Sequence, residues 1–323
     1  MSIKGVFLLN SLLILINVCG YAEDVRYISF SSNREGNSDV YIIDTNGENL
    51  RNLTDQHRTN DAYATWSPDG QFLAYTSDPN GNPDIFVIDI ETEESRRLTK
   101  DPGIDFLAAW SPDGQWIAFC SNRSGANEIY KMDIRGKNLQ RLTNLPGSNT
   151  SPAWSPDSQW IVFRSLWRNE KGFRQYFLYV MSADGENIRQ LIKAAASGAS
   201  WSPDGNRILF STTRDGEDGE GTFDLFGVRP SGEDLRQLTN EPKWVMGPAW
   251  SPDGQWITFE AREPRQNATS GIYIMNTTSG ELRQLTDELS MNWSPAWVPV
   301  RSALSVQPSA TLLTTLWGRL KQK

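Results

Sequence analysis

One histidine, two cysteines and 39 carboxylates make up the chain's stock of reactive side chains. His57 stands four residues before Asp61. An imidazole and a carboxylate in reach of one another can pass a proton and serve as a general base. A lone loop histidine is otherwise just a solvated side chain. Asp61 also has counterparts. Five residues ahead of a recurring tryptophan stand Asp61, Asp105, Asn149, Ala196, Val245 and Asn292. The four polar members could contact a ligand or a cation at a shared opening. They could equally cap a turn by bonding backbone N–H groups. A second aspartate recurs just after the tryptophan, at Asp69, Asp113 and Asp253 among others. Its setting in SPDG assigns it to turn chemistry and not to catalysis. DGEDGEG at 215–221 sets four carboxylates among glycines. Calcium takes oxygen ligands, but the fixed spacing of a calcium loop is absent, so the stretch reads as a solvated acidic loop. Cys120 sits in the apolar WIAFC and reads as a small buried hydrophobe. No G-x-S-x-G, H-E-x-x-H or G-x-x-x-x-G-K stretch occurs, so no nucleophile elbow, zinc pair or phosphate cradle is offered. No cofactor and no metal is implied.

The elements that must position these residues repeat. WSPDG stands at 66–70, 110–114, 201–205 and 250–254, WSPDS at 154–158, and a weaker PAWVP at 295–299. The period is in the mid-forties, which fits propeller blades or helical repeats. Residues 108–143 decide between them. AAW is a short strand, SPDG a turn with proline at its second position and glycine free to take positive φ. WIAFC is a strand apolar on both faces, EIYKMD a third strand and LQRLT a fourth. Proline in every repeat would interrupt helices, and four short antiparallel strands per unit describe a propeller blade. Second-strand pieces number six and so do fourth-strand pieces. The first unit, near Val25, lacks its own tryptophan strand, while the last tryptophan strand at 295–299 lacks partners. The two deficits match. The expectation is an all-β, six-bladed propeller over 23–300, closed by the C-terminal strand joining the N-terminal blade.

The flanks differ from the repeats. Lys4, the apolar run Val6 to Val18 and Gly20-Tyr21-Ala22 read as a signal peptide over 1–22, with Cys19 a minor lipoprotein alternative. That predicts an exported protein, periplasmic or secreted, with no transmembrane segment in its mature form. The tail 301–323, with Leu312, Leu316, Trp317 and a basic end, departs from the repeat. A formal charge of −8 without basic clusters argues against nucleic acid. A monomer is expected.

AWSPDGQWIAFCSNRSGANEIYKMDIRGKNLQRLT resembles the TolB-type propeller repeat, also called the WD40-like or PD40 repeat. The resemblance covers about 24–299. It implies six blades and a role in protein–protein contact in the bacterial periplasm. TolB itself carries an α/β domain ahead of its propeller. That domain has no counterpart between residue 22 and the first blade, which sets this chain apart from a Tol–Pal role. Similar propellers also occur in peptidases with a separate hydrolase domain and in pectate-degrading lyases with several histidines.

Within such blades the SPDG and DxxGxN turns share one repetitive face, and the remaining loops form a variable one. Loops on a rigid scaffold carry function. Of thirteen tryptophans, Trp167, Trp244, Trp293 and Trp317 fall outside the repeat frame, the first three in loops assigned to the variable face. Aromatic residues placed away from the core favour binding. Asp61, Asp105, Phe106, Asn149, Trp167, Trp244, Met246, Asn292 and Trp293 are therefore the candidate contact residues. The function expected is a non-catalytic scaffold binding a protein, peptide or glycan. The alternative is an exported carbohydrate- or peptide-active enzyme with its site at the channel mouth.

Overall fold

The computed structural model describes residues 26–55, 59–168, 174–213, 223–240, 243–263, 269–287 and 289–299. His57, the acidic stretch 215–221, the 1–22 leader and the 301–323 tail lie outside them. Among the described residues there is no helix, and hence none long and apolar enough to cross a membrane. There are six sheets, each of four antiparallel strands.

The sheets are blades around one axis. The strands nearest the axis are Asn292–Trp297 for blade 1, then Asp61–Trp66, Asp105–Trp110, Asn149–Trp154, Ser197–Trp201 and Trp244–Trp250 for blades 2 to 6. Their neighbours are the second strands Tyr27–Ser32, Phe72–Ser77, Trp116–Ser121, Trp160–Arg168, Ile208–Thr213 and Trp256–Arg262. The outermost strands keep only two or three residues each, which limits the open edge offered to other chains. Closure occurs as the repeat count requires. Ile28 pairs with Trp297, Ser29 with Ala296, Ser31 with Trp293 and Ser32 with Asn292. The Val298 N–H adds a 2.9 Å bond to the Tyr27 carbonyl.

The core lies between blades. Ala74, Ile85 and Val87 of blade 2 pack on Trp110, Ile117 and Phe119 of blade 3. Leu209 and Leu225 of blade 5 pack on Ile257 and Phe259 of blade 6. The repeated tryptophan is part of this seam. Indole N–H groups of Trp154, Trp201 and Trp297 donate to the carbonyls of Ala109, Ala153 and Ala249 on the preceding inner strand, at 3.1, 3.2 and 3.1 Å. Trp66 donates instead to Ser29 Oγ at 2.9 Å. An aromatic ring supplies buried area and its N–H fixes the blade-to-blade register.

The recurring aspartate belongs to the turn. Ser67, Ser111, Ser155, Ser202 and Ser251 each donate to the aspartate two residues on, at 2.5–2.6 Å. The same serine oxygen accepts a backbone N–H at the start of the second strand, as from Trp116 to Ser111 at 2.9 Å. Asp157 and Asp204 are held below the usual carboxylate range, chiefly by that serine bond. Gly114 takes φ 73°, as the turn demands. Ser158, which replaces glycine in WSPDS, takes φ 60° and accepts the Asp113 N–H at 3.0 Å.

Candidate functional site

Each inner strand contains a bulge. Register shifts fall between Ala62 and Thr65, Phe106 and Ala109, Thr150 and Ala153, Ser197 and Ala199, Met246 and Ala249, and opposite Ser29 and Ser31 in blade 1. The bulged residue, three before the tryptophan in blades 1 to 6, is Ser294, Tyr63, Leu107, Ser151, Gly198 and Gly247. All six have φ between 51° and 59°. Left-handed backbone is costly for residues other than glycine and persists only where the surroundings enforce it. In four of the blades it turns the backbone N–H groups towards the preceding blade.

What receives them is the fifth residue of the second strand. Tyr63 N–H bonds Ser31 Oγ at 3.0 Å, Leu107 N–H bonds Thr76 Oγ1 at 3.3 Å, Ser151 N–H bonds Cys120 Sγ at 3.3 Å, and Ser294 N–H bonds Glu260 Oε2 at 3.2 Å. Alignment of the second strands puts Arg164 and Ser211, the latter fourth in its shorter strand, at the two remaining ring positions. Arg164 is a donor and cannot accept. It gives Nε to Thr150 Oγ1 at 2.9 Å and Nη1 to Ser197 Oγ at 3.2 Å, with its guanidinium over Tyr176. Ser211 is fully buried and its hydroxyl has no partner.

The ring thus carries small neutral groups at four positions and charged groups at two, in blades 4 and 6. Neither Arg164 nor Glu260 forms an ion pair with a described residue. Burial pushes the Glu260 carboxyl up to about 7, against the pull of the Ser294 N–H and of Arg262. The residue nevertheless keeps part of its surface. Tyr63 bulges in from blade 2. Burial raises its phenol, Glu260 adds to the rise, and Arg164 opposes it. Three polar side chains from alternate blades therefore share one electrostatic neighbourhood. The Cys120 thiol, fully buried, is pushed up to about 12 by burial, so it is an inert hydrogen-bond acceptor.

The candidates read from the sequence divide into groups. Asp61, Asp105, Asn149 and Asn292 are at most 1% exposed. Most of their polar atoms are taken, Asn149 Oδ1 being the exception: Thr59 Oγ1 donates to Asp61 at 3.0 Å, and Arg123 holds both Asp105 oxygens at 2.9 and 2.7 Å. Asn149 donates to Glu128 at 2.9 Å, and Asn292 donates to the Ser270 carbonyl at 2.6 Å while accepting from Arg34 at 2.9 Å. Their own N–H groups cross to the preceding blade, as Asp105 does to Pro83 O at 2.9 Å. These four fasten the point where the chain drops into each inner strand, and they offer no open surface to a ligand. Asp61, so engaged, is also withdrawn from partnership with an open-site base.

Phe106, Met246 and Trp293 are half-buried. In strand register they oppose ring members Cys120, Glu260 and Ser31. Blades 2, 4 and 5 place Ala62, Thr150 and Ser197 there. Trp244 lies one step outward from this layer. Phe223 meets it edge-on at 5.6 Å and the Arg262 guanidinium covers it at 4.7 Å. Trp167 lies apart from them. It is 50% exposed on the long second strand of blade 4, against Phe177, and lines an outer hollow of about 300 Å³ with Tyr179, Gln190 and Lys193. Sequence reasoning missed the Arg164–Glu260–Tyr63 group. Aligning the second strands would have exposed it, because Arg and Glu stand where the others carry Ser, Thr or Cys.

The family model of the TolB beta propeller domain, PD40, matches residues 19–99 and 65–166. These residues carry the TolB-type propeller repeat. The fold of the chain is similar to TolB from Acinetobacter baumannii at 22% identity, covering 85% of this chain and 67% of that one with a TM-score of 0.71. A chain of the nidogen/laminin complex matches at 10% identity, 85% and 98% coverage and a TM-score of 0.67. An oligogalacturonate lyase in complex with manganese matches at 16% identity, 80% and 73% coverage and a TM-score of 0.57. No curated protein sequence matches. In this six-bladed propeller, no three His, Cys, Asp or Glu residues cluster as metal ligands among the described residues.

Proposed function

We propose that this propeller is an exported, non-catalytic interaction scaffold, periplasmic or secreted, which binds a protein, peptide or glycan at the channel mouth on its variable-loop face. The observation that supports this reading is the uneven apolar content of one layer. Trp293, Met246 and Phe106 occupy positions that three other blades fill with Ala62, Thr150 and Ser197, and all three keep accessible surface. Large apolar groups left partly open at a rigid rim are the usual anchors of recognition. The TolB and nidogen/laminin likenesses agree with a scaffold. The test is affinity capture by the mature chain, identification of the partner by mass spectrometry, and titration of that purified partner. Trp293→Ala and Met246→Ala should each weaken binding tenfold or more. Undiminished binding by both would refute the mouth as the contact. Loss confined to Trp167→Ala would move it to the outer hollow of blade 4.

A second reading is an exported carbohydrate- or peptide-active enzyme with its site at the same mouth. Glu260 favours it, because a carboxyl held near 7 suits proton transfer at neutral pH. A panel of polyuronates and peptides, with and without added divalent metal, tests it. Turnover lost in Glu260→Gln or His57→Ala would displace the scaffold reading.

A further inference from the structure

The pore ring is close to sixfold in backbone and far from sixfold in charge. Arg164 in blade 4 and Glu260 in blade 6 are its two charged members, separated by blade 5. At their bulge positions blades 5 and 6 carry Gly198 and Gly247, and a Cβ built on Gly198 would come within 3.4 Å of Gly247 Cα. Across the pore the same positions carry the bulky Tyr63 and Leu107. Side chains thus occupy four of the six bulge positions and leave two to backbone. Between the two charges sits Ser211, buried, with an unused hydroxyl. An enclosed guanidinium and an enclosed carboxyl, neither in an ion pair with a described residue, are costly unless something complements them.

We propose that the pore holds a binding site for a small zwitterion, a free amino acid or dipeptide, whose carboxylate lies on Arg164 and whose ammonium lies on Glu260. A plain anion would satisfy Arg164 but face the carboxyl of Glu260. A plain cation would do the reverse. A zwitterion meets both and brings no net charge into the pore. The Tyr63 hydroxyl, protonated at neutral pH, supplies a further hydrogen bond. Arg262 on its own strand is the charged group that acts on Glu260, and Tyr63 from the inner strand of blade 2 feels both Glu260 and Arg164 of blade 4. This site lies within the pore and stands or falls separately from the protein contact proposed at its mouth.

Calorimetric titration of the full chain tests it with alanine, glycylglycine and 4-aminobutanoate, using acetate and methylamine as single-charge probes. At least one zwitterion should bind tenfold or more tighter than either probe. Binding should tighten about tenfold from pH 6 to pH 8, as Glu260 passes from mostly neutral to mostly ionised. At pH 7 it should release a proton, read as a binding heat that varies with the ionisation enthalpy of the buffer. Arg164→Gln and Glu260→Gln, where folded by circular dichroism, should weaken binding tenfold or more. Absence of binding by all three zwitterions, acetate binding as tightly as they do, or affinity that falls as pH rises would overturn the proposal.

Discussion

Replacing Asp105 by alanine separates the two uses a repeated polar residue could have in this propeller. Asp105 is fully buried and holds both its oxygens on Arg123, whose side chain is 15% exposed. The guanidinium is also packed over Phe119 and Tyr130 at 5.5 and 5.1 Å. It cannot swing out to water without giving up those contacts. Removing one partner of a buried pair costs about 3–5 kcal/mol, and the exposed fraction of Arg123 places this case near the lower end. One kcal/mol moves the melting midpoint of a domain this large by about 2 °C or slightly more, so Asp105→Ala should melt roughly 6–8 °C lower. Asp105→Asn should fall by only about 1–2 kcal/mol, because Asn292 already does the same work for Arg34 in blade 1. Asp105→Ala combined with Arg123→Met should recover much of the loss, since no charge is then stranded. Scanning calorimetry on the four proteins measures all of this. A single variant as stable as the wild type, or more stable, would refute the fastening role. It would return Asp105 to the binding residues, where stability is given up for function.

Ending the chain after residue 291 removes the inner strand of blade 1 and should abolish cooperative unfolding, whereas ending it after residue 300 should leave the melt sharp. Circular dichroism on both checks the closure. Trp154→Phe should cost about 1–3 kcal/mol through the lost bond to Ala109 O and lost area, measured by urea unfolding. Glu260 has its folded carboxyl raised to about 7 from 4.5, so it favours folding most below pH 4.5. That advantage should fade as pH rises to 7 and be gone above it, a span of about 3 kcal/mol at most. Glu260→Gln should flatten that part of the stability–pH curve, and an unchanged slope would show that the carboxyl is not enclosed.

The ring was legible in the sequence because its signals are chemical. SPDG needs its serine and aspartate to lock a turn, and each tryptophan needs a neighbouring blade. The missing inner strand near Val25 and the surplus one at 292–297 were two halves of one observation. The pore layer was hidden for a physical reason. Simple alternation puts the residues one, three and five before the tryptophan on one face, but a bulge between them breaks the alternation. Asp105 and Asn149 therefore turn inward to the blade seam. The bulge itself has no residue signature: its six positions read Ser, Tyr, Leu, Ser, Gly, Gly. Only the two glycines could have hinted at left-handed backbone.

Near-symmetry is what makes the exceptions informative. Five of the six fourth strands are followed by a threonine whose hydroxyl accepts the same N–H fourteen residues earlier, from Val40, Ile85, Ile129, Leu225 and Ile272. Blade 4 has Ile192 there instead. Blade 4 is also where the second strand runs to Arg168, where Trp167 stands exposed, and where Arg164 replaces an acceptor. A scaffold under selection for stability alone would repeat its best solution six times. Charge in the pore and length in the hairpin gain nothing for closure, and the cost of Arg164 is measurable in the ring it interrupts. The departures of blade 4, with Glu260 of blade 6, are the places where the repeat gives up what closure alone would ask for, and they are where the proposed contacts are to be tested first.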